Sequence, residues 1–146
     1  MKAREMMTSD PEVVTPDEPI SRAARIMRDR DIGMVPVVSD TSSMALMGVI
    51  TDRDIAVRHV ADAHANDCTV ATHMSRENIE TVEENDDSAT VLAAMERRAV
   101  RRLPVTNRNG KLLGVIAQAD LTDVRDISKE RVGDVVTKIS GAPRSQ

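Results

Sequence analysis

Four side chains able to ligate a metal fall between positions 59 and 73: His59, His64, Cys68 and His73. Imidazole and thiolate are the common zinc donors, and helical sites of this kind usually show His at i and i+4 or a Cys-x-x-Cys pair. Neither spacing occurs here. His59 and His64 are five apart, about 140° round an α-helix, so the four read as solvated linker residues and no metal site is assigned. Cys68 has no identifiable base and orienting partner, so no catalytic residue is assigned either. A different chemistry is offered by Thr51-Asp52-Arg53-Asp54. This run fits a capping box, with Thr51 at the N-cap and Asp54 at N3. The Thr51 hydroxyl could equally donate to a phosphate at the helix start, where unpaired N–H groups and the dipole favour anions. Arg53 could reach such a phosphate or pair with a surface acid. The run Arg97-Arg98-Ala99-Val100-Arg101-Arg102 suits a solvated helix end, where cations complement the dipole.

The elements that position these residues occur twice. Met7 and Met74 open two segments in which Val14 matches Val82, Met27 matches Met95, and Pro36-Val37 matches Pro104-Val105. Gly48-Val49-Ile50 then matches Gly114-Val115-Ile116, and Asp54 matches Asp120. Each copy reads as strand, helix, strand, strand, helix, an α/β (α+β) pattern. In the first, Glu12-Val13-Val14-Thr15 is a short strand, and Asp17-Glu18-Pro19 starts a helix with acid in its first turn and Pro near N1. Ile20, Ala23, Ala24 and Met27 form one apolar stripe, with Arg22, Arg25 and Arg28 turned away. Gly33 releases the chain into Met34-Val35-Pro36-Val37-Val38, where Pro36 predicts an edge or a strand start. A loop over 39–43 leads to a third strand over 45–50. In the second copy Asp87 is the N-cap, Val91, Leu92 and Met95 make the stripe, and Asn109-Gly110 joins two strands as a hairpin. The repeats are placed at 7–65 and 66–127. The remainder, 128–146, is expected to be an amphipathic helix over 129–139 and a frayed tail from Gly141.

Composition narrows the function classes. Apolar residues make up 40% of the 146 residues, enough for a core, yet there is no Phe, Tyr or Trp, and nine Met take part instead. A planar ligand would have to lie against aliphatic groups and backbone. Twenty basic against twenty-four acidic residues give a net charge of −4. Nucleic-acid binding favours a basic surface and stacking aromatics, so this balance argues against it. The single Cys rules out an internal disulfide and fits a reducing compartment. No stretch approaches the length of a membrane span and no secretory leader is visible, so a cytoplasmic protein is expected.

An apolar helix ending in Met, a hydrophobe-Pro-Val strand, and Gly-Val-Ile with Asp four positions on, all in duplicate, resemble the cystathionine-β-synthase (CBS) domain, which occurs in pairs known as Bateman modules. The resemblance covers residues 7–125. It implies two βαββα repeats packed about a pseudo-twofold axis, with adenosine derivatives (AMP, ADP, ATP or S-adenosylmethionine) held in clefts between them. It would make Asp54 and Asp120 acceptors for the ribose hydroxyls, a task suited to a carboxylate with two accepting oxygens. Met34, Val35 and Pro36, with Leu103 and Pro104, would neighbour the adenine. Arg102, two residues before Pro104, would meet phosphate with its planar fork. Thr51 completes the family's Gly-x-x-Thr/Ser-x-x-Asp pattern from Gly48, whereas the second copy has Ala117 there and the first has Met34 where the second has Arg102. The copies are therefore expected to bind unequally.

The resemblance further implies a free-standing regulatory module, homodimeric, that needs no cofactor, catalyses nothing and signals to an unidentified protein in trans. A ligand-free scaffold of the same fold and a metal-binding stress protein are the alternatives. They differ in whether nucleotide binds saturably and whether a chelator alters stability.

Overall fold

The computed structural model describes residues 1–65, 68–77 and 79–141. In chain order its elements are α1 (Ala3–Met6), β1 (Thr8–Ser9), α2 (Ile20–Arg30), β2 (Met34–Val38), β3 (Leu46–Thr51) and α3 (Asp52–Asp54). A wider π-type turn (Ile55–Val60) continues α3, and α4 (Val70–His73), β4 (Val82–Glu83), α5 (Ser88–Arg98), β5 (Arg102–Thr106) and β6 (Leu112–Ala117) follow. The chain then closes with a 3-10 segment (Gln118–Asp123) and α6 (Lys129–Gly141). This is the α/β mixture that the patterning predicts. Two compact units result: Glu12–Ile79, and Met1–Pro11 combined with the chain from Glu80 onward. Each unit thus takes in the short helix and β segment that precede the other repeat.

In the Glu12–Ile79 unit, β2 and β3 pair antiparallel from Met34 opposite Thr51 to Val38 opposite Leu46. The strand expected over 12–15 contracts to one parallel bridge, in which Val14 N–H donates to the Pro36 carbonyl (3.1 Å) and Val14 C=O accepts from Val38 N–H (2.9 Å). Pro36 therefore sits mid-strand rather than at a strand start. A strand residue's N–H and C=O point to the same side, so its missing donor faces the edge that carries only this bridge. Along the other edge Ser75 exchanges two backbone bonds with Val49 (2.8 and 3.0 Å). The approach is so close that a Cβ on Gly48 would lie 2.3 Å from the Ser75 carbonyl oxygen. α2 buries Ile20, Ala23, Ile26 and Met27 against Val14, Val35, Val37, Ile50, Val70 and Met74, while Arg22, Arg25 and Arg28 stay exposed. Asp31, at φ 53°, ends this helix, ahead of the Gly33 that the sequence suggested.

The second unit carries a four-stranded sheet in the order β1-β6-β5-β4, with β4 parallel to β5 and the other pairs antiparallel. Asp87 caps α5 by accepting from Thr90 N–H (2.9 Å), as the sequence predicts. α5 packs Val91, Leu92, Ala94 and Met95 into a core shared with Leu103, Val105, Ile116 and Leu121. Val135 and Ile139 of α6 join that core, and Arg131 and Lys138 reach Glu96 of α5. At the Asn109-Gly110 turn, Asn107 Oδ1 accepts from the N–H groups of Asn109 and Lys111 (2.9 and 3.0 Å), and Gly110 takes φ 82°. Residues 142–146, expected to fray, lie outside the described residues. Among those described, no helix is long and apolar enough to cross a membrane.

Candidate functional site

Strand alternation divides the residues that sequence reasoning proposed. Val35, Val37 and Ile50 point into the core of their unit, so Met34, Pro36, Val49 and Thr51 lie on the opposite face of the β2–β3 hairpin. Likewise Leu103, Val105 and Ile116 are core, and Arg102, Pro104, Val115 and Ala117 share the other face of β5–β6. Val35 and Leu103, expected to neighbour an adenine, turn their side chains inward. Both side chains are fully buried in their own cores, and only their backbones remain to offer. Met34 stands opposite Thr51, and Arg102 opposite Ala117. Asp52 N–H donates to the Gly33 carbonyl (2.9 Å) and Gln118 N–H to that of Arg101 (2.8 Å), closing both hairpin ends in the same way.

At the first hairpin end the capping box is complete. Asp54 N–H donates to Thr51 Oγ1 (3.0 Å), and Thr51 N–H donates to Asp54 Oδ2 (3.0 Å). Ser75 Oγ lies 3.2 Å from both carboxylate oxygens, and Arg58 Nε sits 3.7 Å from Oδ1. Asp54 is buried, at 7% exposure, with Thr51, Ser75 and Arg58 around its carboxylate. Arg53 is exposed, its N–H bonded to Asp52 Oδ1 (2.8 Å). Ser75 and Arg58 escaped sequence reasoning. Ser75 follows Met74 as Thr8 follows Met7, and that parallel was the available signal.

Asp120 occupies the matching place with fewer partners. Its Oδ2 accepts from Ala117 N–H (2.7 Å), and Oδ1 takes no hydrogen bond among the described residues. Asp120 has no capping hydroxyl to answer it, since Ala117 stands where the first copy has Thr51. It keeps half of the box, because the N-cap N–H needs an acceptor whatever side chain stands there. Arg102, half-buried, lies across the hairpin from this turn.

Two of the three histidines are not the solvated linker residues that the sequence suggested, whereas His64 is exposed. His59 and His73 are buried, at 8% and 2% exposure, with His59 Nδ1 3.2 Å from His73 Nε2. The His64 ring centre is 4.8 Å from that of His73, and Cys68 Sγ is 3.7 Å from His64 Nδ1. His64 lies beyond the π-type turn, after Ala63 at φ 54°, and its N–H bonds back to the His59 carbonyl (3.0 Å), which brings two residues five apart together. Burial, then the neighbouring His64, His59 and Arg58, hold the His73 pKa below its usual value.

Duplicate hairpins with an acid closing each matched helical turn define a paired β-α module. The CBS domain family model matches residues 3–59 and 70–126, and the chain belongs to that family. It is 33% identical over 139 residues to the uncharacterized protein YlbB of Bacillus subtilis, spanning 95% of this chain and 91% of YlbB. A hypoxic response protein crystallised with two coordinated zinc ions is 30% identical, with TM-score 0.75 over 86% of this chain and 99% of that one. The CBS domain protein PAE2072 of Pyrobaculum aerophilum, complexed with AMP, has the same fold at 21% identity, with TM-score 0.74 over 94% of this chain and 99% of that one.

Proposed function

We propose that this chain is a non-catalytic regulatory module that binds an adenosine-type nucleotide and passes its binding state to another protein. The observation that carries the reading is Asp120: a carboxylate with one oxygen held by backbone and the other without a hydrogen bond among the described residues, three positions after Ala117, which stands opposite Arg102 across the hairpin. A ribose diol and a phosphate are complementary to that pair, the first through charge-assisted bonds and the second through the guanidinium fork. Pro104 and Ala117 share the face with Arg102 and offer the small apolar surface an adenine needs in a chain without aromatics. AMP in PAE2072, a protein of the same fold, fits this ligand class. Asp54, saturated by Thr51, Ser75 and Arg58, contributes less unless those bonds exchange. Binding would act by favouring one conformer over another, with the difference in affinity setting the size of the shift.

Isothermal titration with AMP, ADP, ATP and S-adenosylmethionine tests the reading. Saturable binding is expected, weakened about tenfold to a hundredfold by Asp120→Asn, as for the loss of a hydrogen bond to a charged group. Arg102→Ala should discriminate ligands by their phosphates, with less effect on S-adenosylmethionine than on AMP. No heat with any of the four, confirmed by equilibrium dialysis, would replace this reading with a ligand-free scaffold.

A further inference from the structure

We propose that His59, Cys68 and His73, completed by His64, form a zinc site within the Glu12–Ile79 unit. The chain contains three histidines and one cysteine; His59, Cys68 and His73 converge, and His64 lies beside them with Nδ1 3.7 Å from Cys68 Sγ. His59 comes from the π-type turn, His73 from the end of α4, and Cys68 from the segment leading into α4. One ligating atom each from His59, Cys68 and His73 lies within 4.8 Å of the others. A tetrahedral zinc with ordinary Zn–N and Zn–S lengths sets its ligand atoms about 3.3–3.6 Å apart. The His59 Nδ1 to His73 Nε2 separation of 3.2 Å and the Cys68 Sγ to His64 Nδ1 separation of 3.7 Å already fall near that range.

A simple hydrogen bond between two buried imidazoles would account for His59 and His73. It gives no reason for a thiol and a third imidazole to converge on the same pair. The rings meet edge to face, at 74° for His59 with His73 and 70° for His64 with His73, with centres 5.0 and 4.8 Å apart. Three borderline imidazoles and one soft thiolate select zinc over the hard cations magnesium and calcium. With four protein ligands the site would be structural, tying the π-type turn to α4. It would also bear on Asp54 indirectly, because Arg58 reaches both Asp54 (3.7 Å) and the carbonyls of His73 and Met74 (3.5 Å).

The test is Co2+ titration of the full chain after chelator treatment, followed by displacement with Zn2+. A single tetrahedral Co2+ per chain is expected, with visible ligand-field bands and a sulfur-to-cobalt charge-transfer band in the near ultraviolet. Cys68→Ser should abolish that charge-transfer band, and Cys68→Ser and His64→Ala should each weaken binding by at least about tenfold. Neither Cys68 nor His64 is fully buried, so both variants should keep the wild-type far-ultraviolet circular dichroism. Absence of tetrahedral bands, or wild-type affinity in both variants, would overturn the site. AMP titration of the same variants reads the nucleotide proposal separately, since neither substitution touches Asp120 or Arg102.

Discussion

Asp54 and Asp120 hold the same place in two copies of one pattern, yet their surroundings give them different work. Asp54 closes a reciprocal cap with Thr51 and takes the Ser75 hydroxyl, whereas Asp120 holds one backbone N–H and leaves an oxygen unpartnered among the described residues. Residue type and spacing are identical, so the difference comes from a single hydroxyl, Thr51 against Ala117, and from the donors nearby. Thr51→Ala would turn the first turn into a copy of the second. Loss of an N-cap hydroxyl costs about 1 kcal/mol, and urea unfolding should show that loss in the midpoint without a change in slope. An unchanged midpoint would mean that the Ser75 and Arg58 contacts hold the turn without the cap.

Among the elements, the short segments ahead of each repeat matter more than their length suggests. Met74-Ser75 crosses β3 at Gly48, and Met7-Thr8 crosses β6 at Gly114, where added Cβ atoms would lie 2.3 and 2.6 Å from backbone oxygens. A backbone oxygen in a paired segment cannot turn aside as a flexible side chain can. Gly48→Ala and Gly114→Ala should therefore each destabilise by about 1–3 kcal/mol, the usual cost of overpacking. Gly133 supplies the control, since it sits within α6 with nothing within 4 Å of an added Cβ. Gly133→Ala should stabilise by up to about 1 kcal/mol through helix propensity alone. Thermal unfolding of the three variants reads both signs, and a stabilised Gly48→Ala would show that the crossing segment yields.

For the whole molecule, the two units share an architecture but not their decoration. The histidine and cysteine cluster belongs to Glu12–Ile79, and the Arg102–Ala117 strand pair with the Asp120 turn that follows it to the other unit. Val57 and Val60, 49% and 66% exposed, lie on the turn of helix that follows α3. Exposed apolar side chains are covered where chains associate, so the homodimer that the family resemblance implies would be expected to cover these two. Sedimentation should report a dimer for the wild type and monomer for a Val57→Asp/Val60→Asp double variant. A dimer in both would place the interface elsewhere, and a monomer in both would remove it.

The amino-acid sequence by itself determined the repeat, the helix stripes, the Asp87 cap, the Asn109-Gly110 hairpin and the matched places of Asp54 and Asp120. These depend on periodicity and on bonds between residues a few positions apart, which spacing records directly. Tertiary structure alone decided that Val14 contracts to one bridge, that Val35 and Leu103 turn inward, and that Ser75 reaches Asp54 across twenty-one positions. It also decided that His59 and His73, fourteen positions apart, meet in a buried pair instead of lying in an expected solvated linker. Helical winding and long-range packing are set by the sum of many contacts, and the distance between two residues along the chain does not encode that sum.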